Sequence, residues 1–75
     1  MEDINIIKPK ILNINGSSYI FNSAVTIFQL MNYLGFNKNV IVIDYNGAIL
    51  EKALWKHTFL KDSDCLEILS IAGGG

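Results

Sequence analysis

Three consecutive glycines, Gly73, Gly74 and Gly75, close the sequence directly after an apolar run, Leu66-Glu67-Ile68-Leu69-Ser70-Ile71, with only Ala72 between. Glycine has no side chain to clash in a narrow channel and reaches backbone angles closed to other residues. A terminal carboxylate on such a stalk can thread into a partner's active site, so Gly75 is the expected functional residue and Gly73 and Gly74 its flexible tail. Terminal glycines also arise as frayed ends or linker scars. The spacing argues against that, because a scar rarely follows a strand with one residue intervening.

The rest of the chain offers little catalytic equipment. His57 has no Ser, Cys or carboxylate at catalytic spacing and reads as an exposed loop histidine. Cys65, the single cysteine, opens the last apolar run, where a small buried hydrophobe is the usual role of a free thiol. Asp62, Asp64 and Glu67 form a local acidic cluster that could steer the domain toward a basic partner, although turn preference alone accounts for the two aspartates. No phosphate-binding loop, metal-ligand spacing or dinucleotide fingerprint occurs. The expected status is a protein acted upon by other enzymes, binding no cofactor of its own.

The elements that must position the tail follow from pattern and turn chemistry. Lys10 to Ile14 is strand-like, Asn15-Gly16 supplies a tight hairpin turn, and Tyr19 to Phe21 runs back. Thr26 with Gln29 fits a capping box, Val25 and Leu30 a hydrophobic staple, and Gly35 a left-handed C-terminal cap. Between them Ile27, Leu30, Met31 and Leu34 lie at i, i+3, i+4 and i+7, predicting a helix over Ile27 to Leu34 with one face on a sheet. Val40 to Tyr45 reads as a covered strand. Asn46-Gly47 then turns the chain into a short strand, Ala48 to Leu50. Glu51 to Phe59 is expected to form a 3₁₀ turn and loop with Trp55 over the sheet edge. Lys61 to Asp64 is a turn, and the final strand runs from about Cys65 to Ile71.

A single helix covers one sheet face, so the two hairpin-like units are most economically joined through parallel terminal strands at the centre. That is the α+β, β-grasp or ubiquitin-like arrangement, with a mixed sheet of four to five strands and one main helix. The expected organisation is an N-terminal lead over 1–9, a domain over 10–72 and a tail over 73–75. Alternation puts Leu66 and Ile68 inward, leaving Glu67, Leu69 and Ile71 outward beside Ala72 and the tail. These four residues are the expected partner-binding patch.

Composition bounds the function. The 75 residues suffice for one small domain, and 51% hydrophobic content places the chain far from disorder. All basic residues are lysines and the net charge is -1, so no basic stripe exists to bind nucleic acid. The apolar runs are too short to cross a bilayer as helices, and no signal-like core follows Met1-Glu2-Asp3. A reducing compartment is expected, bacterial cytoplasm or plastid stroma.

Several motifs in fixed order resemble one family. Asn15-Gly16, Val40-Ile41-Val42 before Asn46-Gly47, Trp55, Leu60-Lys61-Asp62-Ser63-Asp64, Leu66-Glu67-Ile68 and the closing Ala72-Gly73-Gly74-Gly75 are similar to the ThiS sulfur carriers of thiamine biosynthesis, from about Lys10 to Gly75. The lead over Met1 to Lys8 and Ala72, where many members have valine, depart from the pattern. The resemblance implies that a ThiF-like activating enzyme uses ATP and Mg²⁺ to adenylylate the carboxylate of Gly75. Sulfur from a cysteine desulfurase or other persulfide source then makes a thiocarboxylate, and a ThiG-like thiazole synthase receives the sulfur. The small subunit of molybdopterin synthase, a tRNA-thiolation carrier or ubiquitin-like modifier, and a β-grasp module with idle glycines remain open alternatives.

Overall fold

The computed structural model describes residues 8–71. Residues 1–7 of the expected lead and residues 72–75, with the tail, lie outside the described residues. Five strands form one mixed sheet: β1 (Lys10–Ile14), β2 (Ser17–Phe21), β3 (Ile41–Tyr45), β4 (Ala48–Leu50) and β5 (Cys65–Ser70), in the order β2-β1-β5-β3-β4. β1 and β5 run parallel at the centre, and the other pairings are antiparallel. This is the β-grasp arrangement expected from the sequence, with five strands.

One α-helix, α1 (Ile27–Leu34), packs on one face of the sheet. Its start is fixed by the capping box: the Gln29 amide donates to Thr26 Oγ1 at 3.1 Å and the Thr26 amide to Gln29 Oε1 at 2.9 Å. Its end is fixed by Gly35, whose φ of 82° is open to glycine at little cost. Ile27, Leu30 and Met31 are buried against Leu12 and Ile14 of β1, Ile41 and Ile43 of β3, and Leu66 and Ile68 of β5. Each such side chain contributes roughly 1.5–3 kcal/mol by leaving water, so the inward residues of the three middle strands and α1 supply most of the folding drive.

Three boundaries differ slightly from expectation. β2 begins at Ser17 rather than Tyr19, because the two-residue Asn-Gly turn lets pairing start directly after it. Val40 belongs to a 3₁₀ turn over Lys38–Val40 and β3 begins at Ile41, while β5 ends at Ser70. Ile71 still donates its amide to the Val40 carbonyl at 2.8 Å, so the backbone stays on the β3 side past the strand's end. Trp55, on the second 3₁₀ turn (Lys52–His57), is more than an edge cover. It is buried in the core, and its Nε1 donates to the carbonyl of Leu50 on β4 at 3.1 Å. Both Asn-Gly turns have positive φ at each residue, as their hairpins require.

Cys65 and Asp64 depart from the sequence reading. Cys65 is exposed, because a strand that sends Leu66 and Ile68 inward must send Cys65 outward. Asp64 is buried, so it is no part of a surface charge cluster. Its carboxylate accepts from Tyr45 Oη at 2.7 Å, the Lys61 amide at 2.7 Å and Asn46 Nδ2 at 3.0 Å. Asp62 has a structural task too, accepting from the Ile11 amide at 2.8 Å.

Burial alone would push the Asp64 carboxyl up, but the bonds from Tyr45, Lys61 and Asn46, with the Lys61 ammonium nearby, outweigh it and hold Asp64 below the usual carboxylate range. A group with a depressed folded pKa stabilises the fold above its unfolded value, about 3.9 for Asp, and loses that contribution as pH falls through the folded value. Asp64→Asn should therefore be less stable than the parent by about 1–3 kcal/mol at neutral pH, since it sets an amide N–H₂ against donors. The gap should begin to narrow below about pH 4 and go on narrowing as pH falls through the lower folded value. Urea melts of both proteins at pH 7 and pH 3 check this; an equal gap at both values would remove the charge from the explanation.

Candidate functional site

The strand that precedes the glycines in sequence, β5, is the central one of the sheet. β5 is hydrogen-bonded on both sides, to β1 through Asn13–Cys65 and Ile14–Leu66 and to β3 from Ile41–Ser70 to Tyr45–Leu66. The short parallel ladder is lengthened by a side chain: Asn15 Oδ1 accepts from the Ile68 amide at 2.7 Å, while the Asn15 amide donates to the Leu66 carbonyl at 2.9 Å. Asn46 acts similarly at the other end of β5, where its Oδ1 accepts from the Cys65 amide at 2.7 Å. Both turn asparagines thus serve as sheet partners. Sequence reasoning assigned them only to turns, although the repeated pattern Asn13-Ile14-Asn15-Gly16 and Asp44-Tyr45-Asn46-Gly47 carries a signal. In each the first side chain accepts from the glycine amide, at 3.0 and 2.9 Å, which leaves the middle asparagine free to reach β5.

The expected inward and outward sets of β5 are placed as alternation requires. Leu66 and Ile68 are 0% and 8% exposed, against 46% and 58% for Leu69 and Ile71. Glu67 is exposed on the same outer face. Around them the register adds residues that the sequence reading missed. Val42 stands opposite Leu69, Asp44 opposite Glu67, and Ile49 of β4 opposite Asp44. The outer face beside the end of β5 is therefore an apolar row, Leu69 and Val42, flanked by Ile71, next to an acidic row that ends on Ile49.

Like charges directly opposite one another on neighbouring strands destabilise a sheet by a few tenths of a kcal/mol to about 1 kcal/mol. Here the Asp44–Glu67 pair lies on a helix-free face next to exposed leucine and isoleucine. A partner that brings an Arg or Lys against the pair and apolar side chains against Leu69 and Ile71 would relieve the repulsion and bury the patch together. Ala72, Gly73, Gly74 and Gly75, the remaining expected site residues, lie outside the described residues.

His57 is exposed at the end of its 3₁₀ turn. Among the described residues no group of three or more His, Cys, Asp or Glu is placed to hold a metal ion, and no helix is long and apolar enough to cross a membrane.

The family model of the ThiS family matches residues 11–75. The uncharacterized protein ycf40 of Trieres chinensis is 36% identical over 62 residues, which is 83% of this chain and 85% of that one, and the ycf40 protein of Porphyra purpurea is 36% identical over 64 residues, 85% of this chain and 90% of that one. A thiazole synthase of Paramagnetospirillum magneticum is 31% identical over 64 residues, 85% of this chain but only 20% of the enzyme. In three dimensions the chain is similar to the crystal structure of the thiamine biosynthesis protein ThiS from Geobacter metallireducens, with a TM-score of 0.75 and 26% identity over 87% of this chain and 99% of that one. A match that spans all five strands and reaches Gly75 shows that this chain belongs to the ThiS family of ubiquitin-like sulfur carriers.

Proposed function

We propose that the chain carries sulfur for thiazole formation on the carboxylate of Gly75, as a co-substrate of other enzymes. The observation that carries this reading is the placement of β5: the strand that leads to Ala72 and the three glycines is the central one, and its outer face ends in Leu69 and Ile71. A rigid strand can then be gripped while the glycines extend into a narrow site.

The chemistry needs outside help. A carboxylate is a poor electrophile, because substitution at its carbonyl would expel oxide. An activating enzyme of the ThiF type, supplied with ATP and Mg²⁺, would join a carboxylate oxygen to AMP and release pyrophosphate. The terminal sulfur of a cysteine persulfide from a desulfurase would then displace AMP, and thiol cleavage of the resulting acyl disulfide would leave the thiocarboxylate. A thiazole synthase of the ThiG type is the proposed acceptor. The thiazole synthase of P. magneticum supports it, since about a fifth of that enzyme is similar to this chain. Physical linkage of a carrier to its enzyme raises their effective concentration and makes sense if the two work together. The plastid stroma is the proposed setting, in keeping with plastid-encoded homologues named ycf40.

Incubation with a cognate activating enzyme, ATP and a persulfide source should convert Gly75 to a thiocarboxylate, seen by intact-mass spectrometry as a gain of about 16 Da for one oxygen replaced by sulfur at a single acyl group. An unchanged mass, with the enzyme proven active on another carrier, would end the carrier reading. Supplying the charged protein to thiazole synthase and, separately, to molybdopterin synthase identifies the acceptor.

Deletion of Gly74 and Gly75 should abolish this conversion while leaving stability within roughly 0.5 kcal/mol of the parent, because glycine has no side chain to bury and, among the described residues, the buried core cluster ends at Ile68. A marked fall in melting temperature would mean that the tail is packed.

On β5 itself, Leu69→Asp or Ile71→Asp should weaken binding to the activating enzyme with the fold intact, whereas Ile68→Asp should unfold the domain. A carboxylate at Ile68 would be dehydrated in the core at a cost of several kcal/mol, comparable with the whole stability of so small a domain. Circular dichroism melts run beside a binding assay separate the two effects. A folded Ile68→Asp together with an unfolded Leu69→Asp would contradict the assigned faces.

A further inference from the structure

The opposite edge of the sheet has a character of its own. From Ile11 to Asn37 the sequence contains no Asp, Glu, Lys or Arg, and this stretch builds β1, β2 and α1. Among the described residues β2 is an outermost strand, paired only with β1 and in unbroken register from Lys10–Phe21 to Ile14–Ser17. Its sequence, Ser17-Ser18-Tyr19-Ile20-Phe21, has none of the devices that blunt an edge: no lysine, no proline and no bulge.

The hairpin geometry says which backbone groups are on offer. A two-residue Asn-Gly turn makes Ile14–Ser17 a hydrogen-bonded pair, and by alternation Leu12–Tyr19 and Lys10–Phe21 are hydrogen-bonded as well. The N–H and C=O groups of Ser18 and Ile20 therefore point away from β1. On the helix side, Tyr19, Phe21, Val25, Leu30 and Tyr33 line an open groove of about 470 Å³. Phe21 and Tyr33 meet edge to face across it, ring centroids 6.1 Å apart. Tyr33 is 77% exposed and Ile20 68%, with Ile11 exposed beside Ile20 on the other face.

We infer that β2 is the seat of a two-fold self-association, in which β2 of one copy pairs antiparallel with β2 of a second and joins two five-stranded sheets into one. With Tyr19 opposite its own counterpart on the two-fold axis, Ser18 faces the second copy's Ile20, and each such pair exchanges both N–H···O=C bonds. The two Tyr19 rings meet on the groove side, where Tyr33 extends the contact. The occupant is an identical copy because an uncharged surface is one on which identical molecules meet without like-charge repulsion, and it offers no electrostatic hold on a charged partner. Lys10, at the start of β1, is consistent with this. Its Nζ donates to the Ser23 carbonyl at 3.2 Å, and in this register it lies toward the second copy's Asn15-Gly16 turn, so the two lysines stay at opposite ends. β5, β3 and β4 lie away from this edge, leaving Leu69 and Ile71 open on both copies.

Sedimentation equilibrium should show the weight-average mass rising from the 8.4 kDa monomer toward twice that value. The rise should fall between about 10 µM and about 1 mM, as befits a small interface. Ile20→Lys, at an exposed position that leaves the melt unchanged, should hold the protein monomeric, while Leu69→Lys should not. In a Cys65→Ser background, Tyr19→Cys should form a disulfide-linked dimer under mild oxidation, since residues facing one another across a non-hydrogen-bonded pair have Cα atoms about 4.5 Å apart. Ser17→Cys should not. A parent chain that stays monomeric throughout overturns the inference, whether another protein's strand or residues 1–7 take the edge. So does association that survives Ile20→Lys, or equal cross-linking through Ser17→Cys.

Discussion

Everything in this fold depends on β5 being held between a parallel and an antiparallel neighbour. Among the described strands β5 is the last in sequence and the middle one in space, so its pairing is complete only when β1 and β3 are both in place. Its two inward residues, Leu66 and Ile68, close the core under α1, and its outward residues form the patch beside the tail. One strand thus couples stability to the surface proposed to meet a partner. A register slip of a single residue would exchange the faces, unfolding the domain and erasing the patch together.

Hydrophobic burial sets the faces of β5, but the polar bonds fix its position along its neighbours. The Ile68 amide is met by the Asn15 side chain, the Cys65 amide by Asn46, and the turn before the strand is gathered onto the buried Asp64. Tyr45 and Asn46 reach Asp64 from the end of β3, so the point where β5 starts is tied to the point where β3 stops. A buried carboxylate is tolerable only when its lone pairs are filled, and here three donors fill them. Such a network penalises a slipped strand more than it stabilises the correct one, which complements the less discriminating apolar contacts.

The local features of this fold were legible because each has a short-range cause. Thr26 with Gln29, Gly35 and the two Asn-Gly turns fix α1 and both hairpins within a few residues, and the period of two on β5 separates Ile68 from Leu69. What escaped was non-local. Asp64 reads as a turn aspartate until Tyr45 and Asn46, nearly twenty positions earlier, are brought over it. Cys65 reads as a small core residue until the inward placement of Leu66 forces it out. The acidic row was half visible: Glu67 lies within the final run, but its partner Asp44 is found only through the β3–β5 register.

That register also bears on why, among the described residues, no lysine is seen to meet the acidic row. Five of the six lysines are engaged elsewhere: Lys38 with Asn32 and over the Phe28 ring, Lys52 with Asn39 and over Trp55, Lys56 over Phe28, Lys61 with Tyr45 and Lys10 with Ser23. A flexible ammonium finds a ring face or a carbonyl near its own backbone more easily than it crosses the sheet. Opposite Asp44 the register places Ile49 on one side and Glu67 on the other. The negative field of this face is thus left for an external cation to answer. Because the field sits beside the end of β5, a basic partner steered by it would arrive at the residues that lead in sequence to Gly75.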